Sequence, residues 1–267
     1  MANYVQIYCS RYDSKARPVA FVFSDGSEVV WDMEDDRLRD WTRPLLARLE
    51  SLPEGESLYT FNADFEIKRI APLLTARTVD ALRQSKDLYH LMKRHTRLHP
   101  YPSYRMRDLA KMCGYDADVN VGGDFIEIFS SSNRAKIEKT LHRNIEAMVS
   151  IKAMADDLLA RQRGEHVALE SFHPSPFQIE GTTDGTGDRY IQYQDILYRE
   201  SQGRFIFEAN ARWLPYDATR RALVLESDAP VISRVESPDG FIVFGLDDII
   251  YYETIVDAVE YIRDLSS

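Results

Sequence analysis

The sequence predicts an α/β layer fold with a mixed sheet flanked by helices, followed by a small C-terminal α+β module. Three observations predict it. The chain opens with three strand-like segments in series and then alternates helix and strand patterns, which implies a mixed sheet. One long amphipathic pattern closes this part at Gly164. Beyond it the texture turns to short alternating segments separated by Gly, Pro, Ser and Thr, with a last helical pattern at the end.

Taken in order, "YVQIYCS" is rich in β-branched and aromatic residues, as a strand requires. "RPVAFVFSDGSEVVWDM" reads as a hairpin, because Asp25-Gly26 accepts the positive φ angles of a tight turn. Leu38, Trp41, Leu45, Leu46 and Leu49 recur at helical spacing over 37–49. "SLYTFN" is a strand that hands over to the helix opening "DFEIKRIAPLL". A further helix opens near Asp87 in "KDLYHLMKRH". "SYRMRDLAKMCGY" is a helix with Ser103 as N-cap and Gly114 as C-cap. The longest helix carries Ile137, Leu141, Ile145, Met148, Ile151, Leu158 and Leu159 on its apolar stripe. Residues 165–188 read as a linker or long loop. Within 189–267, strands are expected at "RFIFEANA", "RALVLES", "VISRVE" and "GFIVFGL", and a closing helix at "IVDAVEYIRDL". The expected domains are therefore 1–164 and 189–267.

At 267 residues, 44 % of them hydrophobic and 28 % charged, the chain has ample core for one large or two modest domains. No apolar run approaches the ~18 residues that span a bilayer. Cys9 and Cys113 form no disulfide or metal framework, so a cytoplasmic, reducing location and no membrane partner are expected. The net charge of −10 is unevenly spread: 165–267 hold 19 Asp and Glu against 8 Arg and no Lys, while the first 164 residues hold 24 acids and 25 bases. Such a split marks two units with different partners. The acidic module would repel a nucleic acid and suit a basic protein.

Three segments of the first part are similar to the DEDD 3′–5′ exonuclease superfamily. Its members carry a His-Asn-Ala-x-Phe-Asp pattern with an apolar position four further on. Here Phe61, Asn62, Ala63, Asp64, Phe65, Glu66 and Ile70 fill that register, with Glu66 in place of the metal-binding Asp. Asp87, Leu88, Ser103, Leu109 and Ala110 match a strand-ending Asp and a Ser-Leu-x-x-Leu-Ala pattern. "LHRNIEAMVSI" stands where members have a His or Asn shortly before an Asp on the last helix. The chain thus resembles this superfamily over about three-fifths of its length, nearest to the YprB-like ribonuclease H-like proteins. The resemblance implies a ribonuclease H-like fold with an antiparallel three-strand start followed by helices and parallel strands. It also implies hydrolysis by two divalent cations held between four carboxylates.

The residues argue against that chemistry. Two of the four acids should stand on the first strand as Asp-x-Glu, alternate residues on one face. An ungapped match places Gln6 and Tyr8 there, and neither offers Mg2+ an anionic oxygen at neutral pH. Asp13, the one carboxylate nearby, is too far along to occupy the same alternating positions. For the last acid, one register places Glu146 with His142 four residues before it; the other places Ala147. At about 100° per residue, Glu146 lies opposite the apolar stripe and Ala147 at its edge, which favours the second. The expectation is a degenerate exonuclease fold that binds nucleic acid or a partner protein, with no cofactor. Two alternatives stay open. One is a working Mg2+- or Mn2+-dependent exonuclease using Glu66, Glu146 and Asp64, with Asp13 as a further candidate ligand and His142 as general base. The other is a pure protein-interaction module.

Single-stranded nucleic acid would meet the basic-aromatic run 89–107. Lys93, Arg94, Arg97, Arg105 and Arg107 offer phosphate contacts there, and Tyr101 and Tyr104 offer stacking faces. Plainer roles compete. Carboxylates such as Asp64 and Glu66 favour a helix N-terminus without any metal. Asn62 and Asn144 fit polar caps or sheet edges, and Asp87 fits a clasp on backbone amides.

Overall fold

A computed structural model describes residues 3–9, 18–23, 28–30, 57–98, 100–115, 134–231 and 233–265. The expected turn at Asp25-Gly26, the helix over 37–49 and Asp13 lie outside the described residues. The chain is mixed α/β and divides into two compact units, Met1–Arg94 with Pro102–Ala155, and His95–Tyr101 with Asp156–Ser267.

The first unit holds a five-stranded sheet in the order β3-β2-β1-β4-β5. Strands β1 (Asn3–Cys9), β2 (Pro18–Phe23) and β3 (Glu28–Val30) pair antiparallel. β4 (Leu58–Thr60) and β5 (Lys86–Asp87) continue from β1 in parallel. Tyr4 to Tyr8 of β1 are all buried, as expected of a central strand covered on both faces. Tyr4 stacks on Tyr59, its partner in β4, at 5.4 Å between ring centres.

The helices of this unit are α1 (Asp64–Ile70), α2 (Ala76–Arg83), α3 (Leu88–His95) and α4 (Met106–Met112). A fifth, α5 (Arg134–Arg161), belongs to it as far as Ala155. The side chain of Thr75 caps α2 by accepting from Thr78 N–H. α4 starts later than expected. Arg105 is its N-cap, and Ser103 instead donates to the Asp108 carboxylate at 2.5 Å while accepting from Arg105 N–H. Gly114 stands one residue past the C-cap, with φ +75°, where its missing Cβ lets the chain turn left-handed.

The second unit corrects the expected boundaries. The expected linker, 165–188, contains β6 (Val167–Pro174) and β7 (Phe177–Thr183), two strands of an antiparallel sheet ordered β6-β7-β10-β9-β8. Its other strands are β8 (Arg189–Tyr193), β9 (Ile196–Ser201) and β10 (Arg204–Ala209). The Ser, Thr and Pro content that suggested a loop lies largely on the open side of the strands and in their turns. Val167, Leu169, Phe172, Phe177 and Ile179 face inward between them.

A second antiparallel sheet joins β11 (Arg212–Pro215), β12 (Arg221–Glu226), β13 (Phe241–Leu246) and β14 (Ile249–Ile250). The strand expected at 231–236 does not form among its described residues; Ser233 Oγ there accepts from Val243 N–H. The closing helix is α6 (Tyr252–Asp264), whose Ile255, Val259 and Ile262 join both sheets in one core with Phe177, Phe207 and Phe244. Phe177 stacks on Phe244 at 4.9 Å. No described helix is long and apolar enough to cross a membrane.

One charged cluster sits inside this unit. Glu200, fully buried on β9, accepts from Tyr198 OH at 2.7 Å and from Arg263 Nε at 3.3 Å, and Thr183 Oγ1 donates to its other oxygen. Arg263 also reaches Asp184 at 2.7 Å, and Asp184 holds the His166 ring at 2.8 Å. A Cβ on Gly185 would stand 1.9 Å from the Glu200 carboxylate, so only glycine lets the loop close over it. Removing one member of a buried ion pair strands the other. Glu200→Ala is therefore expected to destabilise this unit by roughly 3–5 kcal/mol in chemical denaturation. A loss below about 1 kcal/mol, the value of a surface pair, would contradict the burial of this network.

Candidate nucleic-acid site at the ends of the parallel strands

β1 and β4 run in parallel with Tyr4 level with Tyr59, so Gln6 reaches the level of Phe61 as β4 ends and the chain turns into α1. Ligand sites of open α/β sheets gather at this carboxyl edge. Asn62 takes φ +50° in the turn, and the Asp87 carboxylate accepts from the backbone N–H of Asn62, Ala63 and Tyr89, each at 2.9 Å. Asp87 is the clasp that ties the ends of β4 and β5 to the starts of α1 and α3.

α5 covers the β1 face that bears Tyr4, Gln6 and Tyr8. Asn144 Nδ2 donates to Tyr8 OH at 2.6 Å, and Lys152 Nζ lies 5.2 Å from the ring centre of Tyr59. The eight residues from Asn144 to Lys152 rise about 12 Å along a helix. The four from Tyr8 back to Tyr4 span about 13 Å along a strand. The helix therefore runs antiparallel to β1. Met148 is fully buried, and its thioether is a poor hydrogen-bond partner. Gln6 Oε1 is buried without a hydrogen-bond partner.

The acids expected in this region do not come together. Ala147 is fully buried; Glu146 and His142 are exposed, each two residues and so about 200° around the helix from the buried Asn144. Glu146 accepts instead from Tyr115 OH. Burial and that bond push the Tyr115 phenol up to about 12. Asp64 is exposed, 3.4 Å from the His90 ring. Glu66 alone turns inward, and its Oε2 is buried without a partner. Burial raises its pKa to about 7, helped by the nearby charges of Asp87 and Asp64 and opposed by its own backbone N–H. Among the described residues no three His, Cys, Asp or Glu side chains are placed to hold a metal. A two-cation centre needs several anionic oxygens, and this set of amide, phenol, methyl and one carboxyl does not fit it.

No protein-family model, curated protein or solved structure matches this chain.

Beside the turn, an aromatic and basic group forms within the first unit. Tyr89 meets Phe61 at 6.3 Å and Tyr104 at 6.2 Å, both edge-on. Lys93 Nζ lies over both tyrosine rings, 4.6 Å from Tyr89 and 5.7 Å from Tyr104. Arg94, Arg105 and Arg107 are exposed in the same unit. Arg97 and Tyr101 belong to the second unit, so the seven expected nucleic-acid residues are divided. Arg97 is committed elsewhere: its Nε and Nη2 both donate to the Glu170 carbonyl, at 2.8 and 2.5 Å.

Sequence reasoning missed Asn144 as the partner of Tyr8. The available signal is an amide inside an apolar stripe, three residues after Leu141 and four before Met148. The edge-on meeting of Phe61 with Tyr89 carried no local signal.

Glu66 makes stability depend on pH. Its folded pKa of about 7 lies above the ordinary carboxyl value of 4.5, so the folded state holds the proton more tightly. The stability this gives is complete below pH 4.5 and is lost as pH rises through about 7, a swing of roughly 3 kcal/mol. Glu66→Gln is expected to remove most of that swing, which denaturation at pH 5 and pH 8 measures. Asn144→Leu removes the hydrogen bond that Asn144 gives Tyr8 in a buried site, and a loss of about 1–3 kcal/mol is expected in the same assay.

Proposed function

We propose that the first unit is a ribonuclease H-like, DEDD-type exonuclease fold that binds single-stranded nucleic acid without cleaving it. The antiparallel run β3-β2-β1, continued in parallel by β4 and β5, agrees with the arrangement that the resemblance implies. The observation that carries the functional reading is the Gln6, Tyr8 and Asn144 set between β1 and α5. Where two-cation hydrolysis needs carboxylates, this chain places two amides and a phenol, and they are buried.

Binding is supported by the group beside this centre. Tyr104 and Tyr89 present π faces, and Lys93, Arg94, Arg105 and Arg107 supply positive charge on the unit that lacks the strong acidic excess of 165–267. Stacking tolerates any base and phosphate contacts tolerate any sequence, so the expected ligand is a single strand read with little sequence preference.

Fluorescence anisotropy with a labelled oligonucleotide tests this reading. Affinity is expected to fall with salt, and each phosphate-contacting Lys or Arg removed should flatten the log–log slope by about 0.7. Lys93→Ala with Arg94→Ala should weaken binding, and Tyr104→Ala should cost about 1–3 kcal/mol. No nucleotide release is expected with Mn2+ at high protein concentration. Release that Glu66→Ala abolishes would establish the enzyme reading instead, and salt-insensitive or absent binding would sink the proposal.

A further inference from the structure

Among the described residues, the two antiparallel sheets of the second unit end in the edge strands β6, β8, β11 and β14. Three of these edges are blunted. β6 carries a bulge between Leu169 and Ser171, ends in Pro174 and gives its Glu170 carbonyl to the Arg97 guanidinium. β11 is four residues long and ends in Pro215, and β14 has two residues. Bulges, prolines, charged caps and short length are what keep an edge from pairing with another chain. β8 has five residues in unbroken register with β9, and it carries no Pro, Lys or carboxylate. Its one charged side chain, Arg189, is occupied at the end of α6, where Nη1 donates to the Arg263 carbonyl at 3.3 Å.

The backbone of β8 has a defined open side. Gln194 and Asp195 form a two-residue turn between Tyr193 and Ile196, so this closing pair exchanges both of its N–H to C=O bonds. Bonded and non-bonded pairs alternate along an antiparallel ladder, which makes Ile191 with Tyr198 and Arg189 with Glu200 bonded pairs as well. The N–H and C=O groups of Tyr190 and Gln192 must then point away from β9. No strand lies on that side among the described residues. Tyr190 has 68 % of its surface exposed, and Gln192 is exposed too. Ile191 and Tyr193 alternate to the other face and pack on the core, with the Tyr193 ring 6.1 Å from Tyr261 of α6. The strand is thus anchored through one face while its edge stays open.

This edge complements itself. A two-fold axis through Ile191 sets Tyr190 of one copy opposite Gln192 of the other, and the reverse. In that register the four outward groups of each strand all find partners, in four hydrogen bonds. Each Tyr190 ring then lies against the Gln192 stem of the second copy, and Ile191 faces its own copy across the axis. Because the strand bears no carboxylate, two acidic units meet there without like charges directly opposite. We propose that β8 is a self-association edge, through which two copies of this chain pair antiparallel and join their five-stranded sheets into one continuous sheet. The pairing does not depend on what the first unit binds.

Sedimentation equilibrium of the full chain tests it, and a monomer–dimer equilibrium is expected. Gln192→Pro removes an N–H that points away from β9, so the hairpin keeps its ladder while two of the four bridging bonds are lost. The dimer should weaken by about tenfold or more. Tyr190→Lys places a charge on the edge and should weaken it likewise; it decides the matter if circular dichroism shows Gln192→Pro unfolded. Ile191→Cys reads the register, since residues facing each other in a non-bonded pair stand about 4.5 Å apart, within reach of a disulfide. Oxidation should give a covalent dimer of this variant and none of the parent chain, which has Cys9 and Cys113 alone. A chain that stays monomeric at its highest attainable concentration would overturn the proposal, including one whose β8 takes up a foreign extended peptide instead. So would a dimer indifferent to both edge variants, or an Ile191→Cys chain that forms no covalent dimer.

Discussion

The face of β1 beneath α5 has no room for uncompensated charge, and much of the first unit follows from that. Asn144 donates to Tyr8 at 2.6 Å, and Ala147, Met148 and Ile151 of the same helix are fully buried. An ionised side chain there would need a counter-charge or a cation, because burial disfavours the charged form by several kcal/mol. The chain instead places neutral polar groups on the strand and a buried methyl at Ala147 on the helix. The helix can then sit down on the sheet, at the expense of any centre that depends on converging anions.

Glu66 shows the same constraint from the other side. It is the single acid of the expected set that points inward, and burial moves its pKa to about 7. Asp87 escapes the difficulty because three backbone N–H groups surround its carboxylate. Two neighbouring acids thus differ in role through their partners alone. Asp87 is a clasp for the backbone, while Glu66 is a carboxyl poised between its two protonation states beside an aromatic and basic surface.

The second unit handles charge differently. Glu200 is buried among donors from Tyr198, Thr183 and Arg263, and Arg263 is in turn shared with Asp184. This arrangement ties α6 to the five-stranded sheet on the inner side. On the outer side of the same sheet, alternation exposes amides, carboxylates and a tyrosine. One sheet therefore bears a closed charge network on one face and an open polar surface on the other.

Much of this was legible from residue order. Period-2 and period-3.6 patterns announced β1, β4, β10, β12, β13, α5 and α6, and the charge split announced two units. Gln6 and Tyr8 could be seen to lack anionic oxygens, and the helical period alone separated Ala147 from Glu146. Other features depend on which distant segments meet. Residues 165–188 look like a loop until their inward residues have a core to face, and Arg97 looks free until the Glu170 carbonyl stands beside it. Side-chain type and local period are written in the chain. The crossing of α5 over β1 and the open edge of β8 are set by strand register and helix packing, which act through space between residues that no local pattern connects.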